Sequence, residues 1–242
     1  MPRFHCPQPL RPGSVVDLPE PVAHHLHVVR QQSGDELVLF NGEGGQVRAR
    51  LVEIGKRRAT AEILAIEAVD VELPFRVTLA QGLPESSKMD WIVEKAVELG
   101  AAAIAPLAAQ RSVVRLSGDR ADKRLAHWQA VVVSASEQCG RNRLADVAPV
   151  QDLQHWLARP TGDHTAILLS PHAPSSLAHW ARAQAPRDVT LLVGPEGGFS
   201  NQEEQAALAA GALPLSMGPR VLRTETAGLA ALAILAATWD AL

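Results

Sequence analysis

The chain contains no tyrosine and only four phenylalanines. RNA modules that read single strands by stacking bases on several aromatic side chains need more than this, so broad stacking of that kind is not expected. Cysteine is scarce too. Cys6 and Cys139 lack any metal-ligand spacing and read as reduced thiols of a cytosolic protein. Charge of one sign is lacking: the formal net charge is −3, which gives no global attraction to nucleic acid or to a membrane. Long hydrophobic runs are missing as well. The most apolar stretch, Ala227–Thr238, is too short to span a bilayer and reads as a buried helix. The opening residues, MPRFHCPQPLRPGS, have no apolar stretch of signal-peptide type. The expectation is a soluble, cytoplasmic protein that needs no metal.

What is present is a large apolar fraction, 47% of 242 residues, enough for one large domain or two smaller ones. Up to about residue 70 the pattern is β-rich. ELVLF (Glu36–Phe40), GQVRARLVEI (Gly45–Ile54) and ATAEILAIEAV (Ala59–Val69) read as strands, with NGEGG and GKRR as turns. One short helix, around Pro21–Gln31, precedes them, and the set suggests a small barrel. VELPF (Val71–Phe75) reads as a linker. Strand and helix then alternate: RVTLAQ, AAIAPL, TAILLS and VTLLVG are nearly continuous apolar runs, suited to a parallel sheet covered on both faces. SKMDWIVEKAVELG (Ser87–Gly100) has a helical apolar face and a glycine stop. The division expected is 1–71 and 72–242.

Two loops stand out. LLVGPEGGFSNQE (Leu191–Glu203) leaves a strand and enters a helix at Ser200, which forms a capping box with Glu203. Its core, Gly194-Pro195-Glu196-Gly197-Gly198, fits neither the dinucleotide fingerprint nor the P-loop. It carries a carboxylate and no lysine beside it in sequence, which disfavours a polyphosphate and suits a neutral or cationic ligand held by backbone. The second loop, LSMGPRVLRTETAG (Leu215–Gly228), carries Arg220 and Arg223, then Thr224 as a candidate N-cap and Glu225 at the helix start. With LLSPHA (Leu168–Ala173), these strand exits would form a crevice at one edge of a parallel sheet. Charge is also local. Pro106–Ala145 holds seven Arg and Lys (Arg111, Arg115, Arg120, Lys123, Arg124, Arg141, Arg143) against three acids, and the N-terminal region adds Arg3, Arg30, Arg48, Arg50 and Lys56-Arg57-Arg58. Such arginines suit phosphate contacts, which position rather than specify.

GPEGGFS followed by MGPRVLRTETA resembles the C-terminal signature of the SPOUT superfamily of methyltransferases. Within it, the chain is most similar to the ribosomal RNA small-subunit methyltransferase E family. Lys88–Ser112, Ser136–Arg141, Arg3–His5 and His24–Asp35 match as well. Cys139 stands where serine is more usual, and Leu144-Ala145 where a proline is expected nearby.

The resemblance implies an α/β C-terminal domain with a deep trefoil knot, an N-terminal PUA-like RNA-binding β-barrel, and a homodimer. It also implies methylation of N3 of a uridine in 16S rRNA, free or in the assembled small subunit, with S-adenosylmethionine as methyl donor. Carried onto this sequence, the donor-binding residues are Leu169, Ser170, Gly194–Gly198 (Gly194, Pro195, Glu196, Gly197, Gly198), Ser216, Met217, Gly218, Val221, Leu222, Arg223, Thr224, Thr226 and Ala227. Arg223 and Glu225 are the catalytic candidates, Arg223 for the uracil anion and Glu225 for its proton. Arg3, Arg30, Arg111, Gln138, Arg141 and Arg143 are the RNA-facing candidates. Three alternatives remain open: 2′-O-ribose methylation, a non-catalytic rRNA-binding or assembly factor, and, weakest, a dinucleotide oxidoreductase.

Overall fold

The computed structural model describes residues 1–159 and 164–241, and the chain divides into two compact units. The first comprises Met1–Glu72 together with Ser136–Leu144. Its elements are β1 (Arg3–His5), β2 (Val15–Asp17), α1 (Glu20–Val28), β3 (Glu36–Phe40), β4 (Gln46–Ile54) and β5 (Ala59–Glu67). The strands form one sheet in the order β1-β3-β4-β5-β2, with β1 parallel to β3 and the other pairs antiparallel. Period-two alternation in β4 sends Val47, Ala49 and Leu51 inward, while Arg48 and Arg50 point outward. Outward does not mean unpartnered. Arg48 lies 3.6 Å from Glu36 and 3.8 Å from Glu67, and Arg50 lies 3.5 Å from Glu36. Every strand contributes to one apolar core, from Phe4 on β1 to Val16 on β2, and α1 adds Val22, Ala23 and Leu26. The short edge strands β1 and β2 carry too few residues to show a period, and sequence patterning missed them.

The second unit comprises Leu73–Ala135 and Ala145–Leu242. Its elements are β6 (Val77–Gly82), α2 (Ser86–Glu98), β7 (Ala103–Ala108), α3 (Asp119–Cys139), β8 (Asp146–Val147), β9 (Gln151–Asp152), α4 (Leu153–Leu157), β10 (Thr165–Leu169), α5 (Leu177–Arg182), β11 (Val189–Val193), α6 (Asn201–Ala209), β12 (Leu213–Leu215) and α7 (Thr224–Thr238). The last turn of α3 groups with the first unit. The sheet is parallel, in the order β12-β10-β11-β6-β7-β8, with β9 also beside β7.

Both faces of the sheet are covered, which explains the apolar runs. Leu79 and Val193 meet α7, where Gly228 lets the helix close in: a Cβ there would lie 2.8 Å from Leu79. Ala80 and Leu192 face a second cluster that includes Leu153 at the start of α4 and Ala207 of α6. The spatial order places β11 between β10 and β6, so the C-terminal ends of β10, β11, β6 and β12 share one edge. That edge is where the two singled-out loops emerge.

Helix starts follow the expected chemistry in part. Ser200 and Glu203 form the capping box of α6. At α7 the expectation fails: the N-cap is Arg223, with no side-chain cap, and the Thr224 hydroxyl is used elsewhere. The helix ends at Thr238, where the apolar stretch of the sequence also ends. Trp239 closes it, donating to the Ala181 carbonyl at 3.0 Å and packing edge-on against Phe75. None of the described helices is long and apolar enough to cross a membrane.

Candidate active site

The Gly194–Gly198 loop is folded upon itself. The Gly198 N–H donates to the Pro195 carbonyl at 2.8 Å, and Gly198 takes φ +65°, where a side chain is disfavoured. A Cβ on Gly194 would lie 2.9 Å from the Gly198 Cα and the Phe199 nitrogen, and one on Gly82 would lie 2.6 Å from the Pro195 ring. The Arg111 guanidinium straps the loop from outside, donating to the carbonyls of Gly197 (3.0 Å) and Phe199 (3.1 Å). Gly197 accordingly faces Arg111, whereas Gly198 opens onto free space.

Thr224 ties this loop to the start of α7. Its hydroxyl donates to the Gly194 carbonyl at 2.6 Å and accepts from Gln81 Nε2 at 2.8 Å. Thr224 and Gln81 are both buried, so the bond between them is shielded from water. Gln81 Nε2 also donates to the Gly82 carbonyl, while its Oε1 is buried without a partner.

The carboxylate in the loop is not alone, contrary to the expectation of a loop without a lysine. Lys88, on the first turns of α2, donates to Glu196 at 2.8 Å. It also lies 3.6 Å from Glu85 and 4.0 Å from Glu225 Oε2. The pair is 108 residues apart in sequence, which is why the loop alone did not reveal it. The hydrogen bond to Glu196 holds the Lys88 ammonium above its ordinary range. Partial burial pushes the Glu196 carboxyl up, but the bonds from Lys88 and from the Glu85 N–H outweigh it, leaving the carboxyl below its ordinary range. Glu225 lines the same wall, with a buried Oε2 that has no hydrogen-bond partner.

The second loop is held by fewer bonds. Ser216 is pinned to the Ser175 carbonyl by its N–H and its hydroxyl, at 2.9 and 3.2 Å. Beyond it, Gly218 takes φ +101°, Val221 is 79% exposed, and Arg220 and Arg223 are exposed. Neither guanidinium pairs with another described residue.

A cavity of about 380 Å³ opens among these parts, within the usual range for small-ligand sites. It is lined by Leu169, Ser170, Gly194, Pro195, Glu196, Gly198, Met217, Val221, Leu222, Arg223, Thr224, Glu225 and Ala227, all singled out in the sequence. Gly197, Ser216, Gly218 and Thr226 were expected there and are not part of the lining. Gly197 and Ser216 brace the loops from behind, and Thr226 is exposed. Lys88, Pro171, Val193 and Arg220 also line the cavity and were not among the donor-binding residues expected.

The RNA-facing candidates divide. Arg111 serves as the loop strap. In the N-terminal unit, Arg141 is turned inward: its side chain is 5% exposed and forks onto Glu72 at 2.6 and 3.0 Å. Arg3 donates to the Arg141 carbonyl and to Asn142, and its guanidinium lies 4.8 Å from the centre of the Phe40 ring. Arg30, Gln138 and Arg143 are exposed.

Known proteins resemble this chain in sequence and fold. Residues 71–236 match the family described as RNA methyltransferase domain, and residues 18–64 match the RNA methyltransferase PUA domain. The ribosomal RNA small subunit methyltransferase E of Mycobacterium bovis is 36% identical over 90% of this chain and 85% of its own length. That of Bacillus subtilis is 32% identical over 88% and 86%. The solved structure of the same enzyme from Neisseria gonorrhoeae, bound to S-adenosyl methionine, superposes with a TM-score of 0.92 at 40% identity and covers 99% of this chain and 98% of that one. The putative methyltransferase of Legionella pneumophila, in complex with the same compound, gives 0.90 at 33%, covering 97% and 96%. On these matches the chain belongs to the ribosomal RNA small subunit methyltransferase E family of RNA methyltransferases.

Proposed function

We propose that the chain transfers the methyl group of S-adenosylmethionine to N3 of a uracil in ribosomal RNA of the small subunit, acting in the cytoplasm as a homodimer. The residues present suit this donor. Gly198 leaves the cavity open where a side chain would stand, and Glu196 and Glu225 supply carboxylates for a cationic ligand, with Lys88 balancing one of them. Bound there, the donor would supply an activated methyl group on a sulfonium, so no metal is needed for the transfer.

The chain's own task is to make N3 a nucleophile. N3 of uracil carries a proton at neutral pH, and it attacks only as that proton leaves. Glu225, a carboxylate in the cavity lining, is the proton acceptor. Arg223 is the single observation that carries the reading: a guanidinium free of any described protein partner, on the cavity wall beside the backbone of the glycine loop. Its charge favours the uracil anion as the proton moves to Glu225 and N3 takes the methyl carbon. Arg30, Gln138 and Arg143 remain as RNA contacts of the N-terminal unit. The outer side of α7, where Ala230, Ala233 and Ile234 are half-buried and Ala237 is exposed, suits close approach of a second copy.

The test is methylation of a small-subunit rRNA substrate, free or assembled, followed by mass spectrometry of the nucleosides. 3-Methyluridine is expected. A 2′-O-methyl nucleoside would overturn the N3 assignment, and absence of donor binding by calorimetry would favour a non-catalytic rRNA-binding factor.

A further inference from the structure

The basic stretch Pro106–Ala145 holds more cations than the methyl-transfer cavity uses. Arg111 straps the glycine loop, and Arg115 donates to the carbonyls of Ala109 and Gln110 at 3.0 and 2.8 Å. Arg120 and Lys123 have no such structural duty, and Arg124 and His127 follow them along the helix with Asp90 beside them. They fall at i, i+3, i+4 and i+7 on α3 and therefore share one face. With Val114, Arg115 and Leu116 this face borders a cleft of about 490 Å³, lined by five basic residues, two apolar ones and no carboxylate. Arg120 and Lys123 form no ion pair with any described residue. Asp90 on α2 fixes the far side: it meets His127 Nε2 at 2.9 Å and lies 4.0 Å from Arg124.

Within α3 this arrangement is unfavourable, because like charges three and four residues apart repel, as between Arg120 and Lys123 or Arg124. Asp119 and Asp122 in the first turn complement the helix dipole but are not part of the cleft lining. A bound polyanion relieves the repulsion. Arginine forks match phosphate oxygens in pairs, and lysine adds a point charge. The face runs ~10 Å along the helix from Arg120 to His127, which suits a chain of phosphates better than a single ion. Val114 and Leu116 give the cleft an apolar floor for sugar or base surface.

We infer that this α3 face is a docking site for the ribose-phosphate backbone of the RNA substrate, separate from the methyl-transfer cavity. The inference rests on the proposed rRNA methylation. Its role is positioning, because phosphate contacts carry no sequence information.

The test uses the full-length protein with Arg120→Gln, Lys123→Gln and Arg124→Gln combined. Binding to a small-subunit rRNA transcript is measured across a salt series, alongside S-adenosylmethionine affinity by calorimetry. Losing three phosphate contacts should make the log–log salt slope shallower by about 2 to 3 and weaken binding at low salt. Donor affinity should not change, and the thermal midpoint should not fall. Arg120→Lys with Arg124→Lys should retain the slope. If the wild-type protein binds the transcript and the triple variant matches its slope and affinity, the α3 site is wrong while rRNA methylation stands. If the wild type binds the donor but neither the transcript nor the assembled small subunit, both readings fail. A loss seen with assembled subunits but not with naked transcript would identify a protein partner and overturn the RNA assignment.

Discussion

The two loops at the crevice emerge from the same sheet edge yet are held in opposite ways. Gly194–Gly198 is over-determined. Gly194 and Gly197 are required by contacts within the loop or against Arg111 and Gly198 by its positive φ, its carboxylate is bonded to Lys88, and Thr224 locks its first carbonyl. Ser216–Arg223 is pinned at Ser216 and then presents Val221, Arg220 and Arg223 to solvent. One loop is a fixed wall and the other carries free charge. A site that stabilises a developing anion benefits from that division: the wall sets the geometry in advance, and the charge is available because no described protein group has taken it.

The sharpest way to break the comparison is to remove the charge and leave the wall. Arg223→Ala should keep donor affinity within a modest factor, since the Arg223 guanidinium shares no bond with the first loop. Methyl transfer in single turnover should fall by ~100–1,000-fold, the usual cost of one lost oxyanion-type contact. An unchanged rate would remove Arg223 from the chemistry and leave the second loop as a plain connection.

The converse experiment damages the wall. Thr224→Val removes the hydroxyl that serves both Gly194 and Gln81 and leaves buried polar groups unpaired, so unfolding free energy should drop by about 1–3 kcal/mol, read as a lower urea midpoint. Donor affinity should fall with it. A variant that loses affinity at full stability would show that Thr224 touches the ligand and does not merely brace the loop.

Gly198→Val separates strain from blockage. Its φ of +65° makes any side chain costly, by roughly 1–2 kcal/mol. Gly211, at φ +92° with equally open surroundings and outside the cavity, provides the control. Gly198→Val and Gly211→Val should lose similar stability, and only the first should lose S-adenosylmethionine binding. Equal donor affinities in the two variants would mean that Gly198 does not face the ligand.

Much of this was legible in the chain itself, and the failures share a cause. Apolar runs marked β6, β7, β10 and β11, because a doubly covered sheet demands them. Ser200 and Glu203 announced α6, because a capping box is local. The site's backbone wall was found through its glycines. What was missed depends on distant partners. Lys88 belongs to the site through Glu196, Arg111 bonds the glycine loop while staying exposed, and Arg141 turns inward to Glu72. A cation's partner is fixed by the fold and leaves no local period. β8 and β9, two residues each, are too short for any pattern.

The smallest expected effect concerns that missed lysine. Lys88 and Glu196 stabilise each other's charged forms in the folded chain, with the carboxyl held low and the ammonium held high. The signs fix a pH window. A depressed carboxyl contributes stability above its unfolded value of ~4.3 and loses it as pH falls through the folded one. A raised ammonium contributes below its unfolded value of ~10.4 and loses it as pH rises beyond. The pair therefore acts fully between about pH 5 and 10 and fades on both sides. Solvent reaches Lys88, whose side chain is 26% exposed, so salt and water screen the gain. Lys88→Met keeps the length of the side chain and removes its charge, leaving Glu196 and Glu225 on the cavity wall without their shared cation. Its urea midpoint should lie below that of the wild type at pH 7.5, and the two should converge toward pH 3.5. A gap that persists unchanged at pH 3.5 would show that Lys88 supports the wall by packing, and that the charge in the fixed loop is incidental to how the loop is held.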